Sequence, residues 1–189
     1  RSGEENLRTI QFHDGTTLDI SQNNMSNVYY REGGAGDDII FGDLGPARDI
    51  SSTDMISGYE GNDGLLGGGG NDVLQGGRGN DFLAGGSGID TYIFNRGDGM
   101  DEIGGGNDDV ILLGQGISAS NIQLVKDGDD LLIRFLSHPG DSIRILRQFK
   151  DPYNVINQIR FSDLSTLDIS PSNTHNVLYS RGTEVADTL

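Results

Sequence analysis

The chain has no cysteine and no tryptophan among its 189 residues, and only four prolines and three histidines. Without thiols there is no disulfide framework and no thiolate chemistry, and the lack of cysteine suits a chain exported unfolded. His13, His138 and His175 stand far apart in the sequence and form no HExxH-type zinc spacing, so they read as surface loop residues. Positive charge is scarce, with 13 Lys and Arg against 29 acids and a net charge of −16. Nucleic acid, whose binding rests on neutralising phosphates, is therefore not an expected partner. No apolar run approaches the roughly 18 residues that a membrane-spanning helix needs. No phosphate loop or nucleophile elbow is present. No secretory leader stands at the start, but the sequence reads as an excised fragment, so that carries no weight.

Glycine and acid are abundant, and both are concentrated. From Gly33 to Asp109 there are 23 of the 30 glycines, 15 acids and 3 arginines, a local net charge of 3 − 15 = −12. From Gly58 to Ile93 the sequence divides into nines: GYEGNDGLL, GGGGNDVLQ, GGRGNDFLA, GGSGIDTYI. Glycine holds the first and fourth places. Asp63, Asp72, Asp81 and Asp90 hold the sixth, and Leu65, Leu74, Leu83 and Tyr92 hold the eighth. A disordered acidic linker would not keep this register, so the stretch is a repeat architecture.

Glycine weakens helix and strand interiors but is favoured where φ must be positive, so the first six residues form a turn. The last three place one apolar side chain between two others, which is a very short strand with the eighth residue inward. Turn, strand, turn, strand gives an all-β fold: a right-handed parallel β-roll, two repeats per coil, with coils about 4.8 Å apart. Sixth-place carboxylates then stack on one another and repel, and a cation between them removes that penalty. An all-oxygen site of flexible geometry suits Ca²⁺ better than Mg²⁺.

The block opens with GGAGDDIIF at Gly33, which places Asp38 sixth. An insertion after Gly45, carrying Pro46 and Ser51-Ser52, reads as a loop before Asp54. After Phe94 the register slips: RGDGMDEI places Asp101 sixth and Ile103 eighth, and GGNDDVI places Asp108 sixth in a compressed repeat. From Val110 the glycine pattern stops. IQLVKDGDDLLIRF, Ile122 to Phe135, reads as a hairpin around Asp127-Gly128, and Ser142 to Leu146 and Gln158 to Phe161 read as strands. They are expected to form a small antiparallel sheet closing the open end of the coil, because repeat stacks need caps. Asp151-Pro152 reads as a turn. Tyr29, Tyr30, Tyr92 and Phe94 read as core or cap aromatics.

A longer repeat encloses the block. IQFHDGTTLDIS, Ile10 to Ser21, a hairpin with Asp14-Gly15 at its turn, returns as IRFSDLSTLDIS, Ile159 to Ser170, an offset of 159 − 10 = 149. Asn27-Val28, Tyr30, Gly33 and Asp38 recur as Asn176-Val177, Tyr179, Gly182 and Asp187. The expected organisation is residues 1–32 as the tail of a preceding unit, 33–109 as the roll, 110–181 as the capping flank, and 182–189 as the start of another repeat.

The nonapeptides from Gly33 to Ile93, DTYIFNRGDGMDEI at Asp90 to Ile103 and KDGDDLLIRF at Lys126 to Phe135 resemble the RTX, or haemolysin-type, calcium-binding family. The flank is similar to the segment that follows each RTX block in large bacterial exoproteins, including adenylate cyclase–haemolysin toxins and iron-regulated exoproteins. The resemblance implies a calcium-binding module, not an enzyme, of a secreted Gram-negative toxin or exoprotein. Such a module leaves by the type I secretion machinery, unfolded at low Ca²⁺, and folds outside the cell. The alternative is a Ca²⁺-stiffened repeat unit of a large adhesin, for which further Ig-like repeats in the parent would speak. A monomeric fragment with about four to six Ca²⁺ ions is expected, with a host cell surface as a further partner. The implied ligands are the carboxylates of Asp38, Asp54, Asp63, Asp72, Asp81, Asp90, Asp101 and Asp108. Turn carbonyls of the stacked loops join them, at Gly58, Glu60, Gly67, Gly69, Gly76, Arg78, Gly85 and Ser87. The fifth-place side chains of Asn62, Asn71 and Asn80 are further donors, whereas Ile89 departs from the pattern and leaves its turn one donor fewer.

Overall fold

The structure, a computed structural model, describes residues 9–11, 17–19, 28–42, 52–106, 108–153, 155–174 and 179–180. The insertion after Gly45 lies outside the described residues, apart from its end at Ser52. The glycine turns reverse the chain every nine residues, so successive strands alternate between two facing sheets. One sheet holds β3 (Val28–Glu32), β5 (Thr53–Glu60), β7 (Val73–Arg78), β9 (Thr91–Phe94) and β11 (Val110–Leu113), all parallel. The other holds β4 (Ile39–Phe41), β6 (Gly64–Gly69), β8 (Phe82–Ser87) and β10 (Met100–Gly104), also parallel. β3 lies before Gly33, so the roll's first strand precedes its first glycine turn.

Strand register builds the core, because residues paired across parallel strands share a face. In the odd sheet Ile56, Leu74, Tyr92 and Ile111 form one column. In the even sheet Leu65, Leu83 and Ile103 form another. All seven side chains are buried. The eighth place therefore points inward at every regular repeat, as its apolar character requires.

The flank is not a separate sheet. β14 (Ser142–Ile145) joins β10 in parallel and β15 (Gln158–Phe161) joins β11 in parallel, adding one more strand to each sheet. The apolar columns run on without a break, Ile103 to Ile145 and Ile111 to Ile159. Only beyond these strands does the pairing turn antiparallel, through β13 (Asp130–Phe135) and β12 (Ile122–Asp127) on one side and β16 (Thr166–Asp168) on the other. Alternating apolar residues fix which face of a strand is buried but not which neighbour it pairs with. That is why the parallel step was not visible in the sequence.

The β12–β13 hairpin turns through Gly128 and Asp129, with Gly128 at φ +68. A positive φ at that point of a two-residue loop is where glycine is favoured. Phe135 stacks on Phe94 with centroids 4.9 Å apart. Gln148, buried, donates to the carbonyls of Ile156 and Ile169 and accepts from the Ile156 N–H, which ties the β14–β15 connection to the cap. Asp151 Oδ1 accepts the Tyr153 N–H at 3.1 Å, so Asp151-Pro152 opens an ordinary Asx-type turn. Tyr92 and Phe94 are buried, whereas Tyr29 and Tyr30 on edge strand β3 are about half exposed. At the N-terminal end, β1 (Thr9–Gln11) and β2 (Thr17–Asp19) pair as an antiparallel hairpin. Its Asp14-Gly15 turn lies outside the described residues.

Each nonapeptide buries one large side chain, against an ordering cost of roughly 1–2 kcal/mol per residue. The flank, with Ile133, Ile143, Ile145, Ile156 and Ile159 all fully buried, supplies the apolar mass the repeats lack. Residues 1–109 alone are therefore expected to stay unfolded at calcium concentrations that fold the full chain. Circular dichroism and small-angle scattering during a calcium titration check this, and equal midpoints for the two chains would make the flank a passenger.

Candidate metal centre

The turns stack in two columns, one at each edge of the roll. In each, the backbone N–H of a sixth-place residue donates to Oδ1 of the sixth-place aspartate one coil later. The first column runs Asp38→Asp63, Asp63→Asp81 and Asp81→Asp101, at 2.8, 2.8 and 3.1 Å. The second runs Asp54→Asp72, Asp72→Asp90 and Asp90→Asp109, at 2.8, 2.9 and 2.8 Å.

The second column corrects one sequence expectation. Asp109, not Asp108, holds the sixth place: Asp109 is 0% exposed, whereas Asp108 is exposed with φ +70. The last repeat is a full nonapeptide, GGGNDDVIL from Gly104, with Ile111 eighth. The shortened repeat is the one before it, after two extra residues, Phe94 and Asn95. The column spacing records this, being 18 residues in the regular block, then 20 and 19. Counting nines forward from Gly104 would have found Asp109.

Once Oδ1 is engaged, Oδ2 remains. Oδ2 of Asp63, Asp81 and Asp90 is buried without a hydrogen-bond partner. A buried carboxylate oxygen in that state costs several kcal/mol unless a cation or donor reaches it. The first-place glycines leave the space. A Cβ at Gly33 would lie 2.7 Å from both Asp38 Oδ2 and the Gly58 carbonyl oxygen. At Gly58 it would collide with Asp63 Oδ2 and the Gly76 carbonyl, and at Gly67 with Asp72 Oδ2 and the Gly85 carbonyl. At Gly42 it would meet Asp54 Oδ2 and the Gly67 carbonyl. Carboxylate oxygens and first-place carbonyls thus converge in the gap between coils. Among the described residues no three Asp, Glu or His side chains gather at one point. The donor set is mixed carboxylate and carbonyl, which suits a hard cation, and the residues present fit Ca²⁺.

The other candidate donors are placed differently. The Arg78 and Ser87 carbonyls accept the N–H groups of Gly61 and Gly70 at 2.9 Å. The Glu60 and Arg78 side chains are exposed and face each other at 3.6 Å, so only their backbones border the gap. Gly69 lies on β6, at the same place of its turn. Asn62, Asn71 and Asn80 use Oδ1 to accept the N–H of the fifth-place residue one coil on, Asn80, Ile89 and Met100, at 2.9 to 3.0 Å. The asparagines therefore tie stacked turns together on the exposed side.

Ser52 and Arg31 border the first carboxylate of the second column. Ser52 Oγ donates to Asp54 Oδ2 at 3.0 Å, and Arg31 Nε lies 3.5 Å from Asp54 Oδ1. Two further acids, Asp98 and Asp141, lie buried at the far end of the first column. Asp98 Oδ2 accepts the Asn95 N–H and Asp141 Oδ2 accepts the Gly97 N–H, at 2.7 and 2.8 Å. RGDGMD carries a third-place acid that no other repeat in the regular block has, except Glu60. His138 is partly exposed beside Ser137, and His13 and His175 lie outside the described residues.

Burial holds these carboxyls above their ordinary range. Asp81, Asp90 and Asp98 are pushed up to about 6 and Asp101 to about 8, with neighbouring aspartates adding to the effect of burial. Asp63 and Asp109 rise for the same first reason.

Fold and site together define a β-roll repeat protein with carboxylate and carbonyl oxygens converging between its coils. Residues 32–46 and 57–92 match the family model of the RTX calcium-binding nonapeptide repeat, in four copies, and this stretch is a block of RTX calcium-binding repeats. The chain is also similar to the solution structure of the AlgE6R3 subunit from the Azotobacter vinelandii mannuronan C5-epimerase. The identity is 21%, with 69% of this chain and 79% of that chain covered, at a TM-score of 0.39. No curated protein matches the chain. Among the described residues no helix is long and apolar enough to cross a membrane.

A carboxyl whose pKa is raised on folding binds more protons when folded, so acid favours the cation-free roll. That contribution is full below the unfolded value of 3.8 and is lost as pH rises through about 6 for Asp81 and Asp90 and about 8 for Asp101. In excess chelator the β signal in circular dichroism is expected to grow as pH falls from about 8 to about 5. A signal that is flat or falls with acid contradicts the burial of these groups.

Proposed function

We propose that the chain is the calcium-folding module of a secreted Gram-negative toxin or exoprotein. It would leave the cell unfolded through the type I secretion machinery and fold where calcium is plentiful. Calcium binding itself belongs to the RTX repeats. The observation that carries the proposal further is the set of buried, unpartnered Oδ2 atoms on Asp63, Asp81 and Asp90. A roll that stacks such groups is disfavoured until cations arrive, so calcium becomes the condition for folding. Five ions would move the block from −12 to −12 + 10, about −2. The proposed ligands are the sixth-place carboxylates from Asp38 to Asp101, with first-place carbonyls such as Gly58, Gly76 and Gly85. Bound between coils, the ion supplies the positive charge the stacked carboxylates lack. The chain's own part is to present oxygens at fixed spacing and to leave room through its glycines.

Two measurements test this. Circular dichroism at pH 7.5 should show an unfolded chain in chelator and a steep transition near 10⁻⁴–10⁻³ M Ca²⁺. A β spectrum in chelator at that pH sinks the proposal. Calorimetry on variants should show fewer ions bound by Asp81→Asn and by Asp90→Asn, and no loss in Asp108→Asn. Equal losses in all three would refute the ligand assignment.

A further inference from the structure

In the two apolar columns of the roll Tyr92 alone carries a polar atom, since leucine or isoleucine fills the other places. Its hydroxyl lies where a backbone bond is expected. In the first coil the Gly33 N–H donates to the Ser57 carbonyl at 2.8 Å, and the Gly42 N–H donates to the Leu66 carbonyl at 2.7 Å. Register carries Leu66 to Ala84 and Ala84 to Gly104, so the equivalent acceptor for the Gly85 N–H is the Gly104 carbonyl. The Gly85 N–H donates instead to the Tyr92 hydroxyl at 2.9 Å, and that hydroxyl lies 3.2 Å from the Gly104 oxygen. It lies equally close, 3.2 Å, to Asp109 Oδ2. A hydroxyl has one proton to give, and a carboxylate is a stronger acceptor than a carbonyl. Burial, with Asp109 beside it, holds the phenol well above its ordinary range, so the proton stays on the oxygen.

Asp109 is thereby supplied with donors from within the chain. Oδ1 accepts the Asp90 N–H at 2.8 Å, and Oδ2 accepts the Gly106 N–H at 2.6 Å as well as facing Tyr92. Oδ2 of Asp63, Asp81 and Asp90 has no such partner. The space beyond the last turn is filled too. A Cβ at Gly58 or Gly67 would meet a carbonyl oxygen of the next coil, Gly76 or Gly85. Gly105 follows Gly104 as Gly85 follows Ala84, and a Cβ there would lie 2.5 Å from Ile156 Cγ1. Ile156 is a fully buried side chain of the flank. Where the earlier turns face an oxygen across a gap, this one faces a hydrocarbon, which offers a hard cation no ligand.

We propose that, on the calcium reading given above, Tyr92 takes the place of an ion at the end of the second column, and that with Ile156 it makes Asp109 a sixth-place aspartate that binds no calcium. The column then stops on a hydrogen-bonding group built into the core, and its last ion belongs to Asp90.

Crystals of the unchanged chain grown in calcium, with anomalous scattering to locate the ions, test this directly. An ion is expected on Asp90 Oδ2 and none within bonding distance of either Asp109 oxygen. An ion bound by Asp109 overturns the proposal while leaving the calcium reading intact. A roll with no ion in any gap overturns both. The part played by the hydroxyl is read from thermal unfolding in saturating calcium. Tyr92→Phe is expected to melt about 5 °C below the unchanged chain. Introduced into Asp109→Asn, the same change should cost less than half of that drop, because the charged acceptor is gone. Drops that add in full show a hydroxyl serving only the backbone, and a Tyr92→Phe chain as stable as the unchanged one shows a hydroxyl serving nothing. Either result overturns the role assigned to Tyr92.

Discussion

The structure depends on one unfavourable interaction, the stacking of aspartate carboxylates in a gap from which water is largely excluded. Backbone N–H groups satisfy Oδ1 along each column, from Asp63 to Asp101 on one edge and from Asp72 to Asp109 on the other. Those bonds fix the carboxylates at coil spacing and thereby hold like charges together. Like charges held at that spacing and shielded from water repel one another unless opposite charge intervenes. Nothing in the regular repeats supplies it, since Arg78 faces solvent. The opposite charge has to come from solution.

The ends of the columns are treated differently from the middle. At the start of the second, Arg31 and Ser52 approach Asp54, so the protein brings its own cation and donor there. At its end the Tyr92 hydroxyl lies 3.2 Å from Asp109 Oδ2, which also accepts the Gly106 N–H. The first column ends because the register passes from Asp101 to Ile143 and then Ile133, where apolar side chains replace the acid. The flank therefore does two jobs with the same residues. It continues the apolar columns of the roll and stops the charged one.

Much of this was legible in the sequence because a period of nine is a strong constraint. Glycine at first and fourth places, acid at sixth and apolar at eighth fixed the turns, the inward face and the position of the carboxylates from Asp38 to Asp101. Two things escaped. The identity of the last sixth-place acid turned on whether the slip after Phe94 was an insertion or a compression, and local sequence allows both. The parallel addition of β14 and β15 depends on a partner strand some 40 residues away, which periodicity does not encode. The burial of Asp98 beside Asp141 was hidden for the same reason: the two become neighbours only when the flank folds back on the 95–101 turn.

The most direct test of the central claim is residue-resolved hydrogen exchange of the sixth-place amides at neutral pH, in calcium and in chelator. Each of these N–H groups donates to a carboxylate that must itself be neutralised for the stack to persist. The amides of Asp63, Asp72, Asp81 and Asp90 are expected to be strongly protected in calcium and to exchange at unstructured rates in chelator, changing together. Protection that survives chelation would mean the carboxylate columns stand without a cation, and the account would be wrong at its foundation.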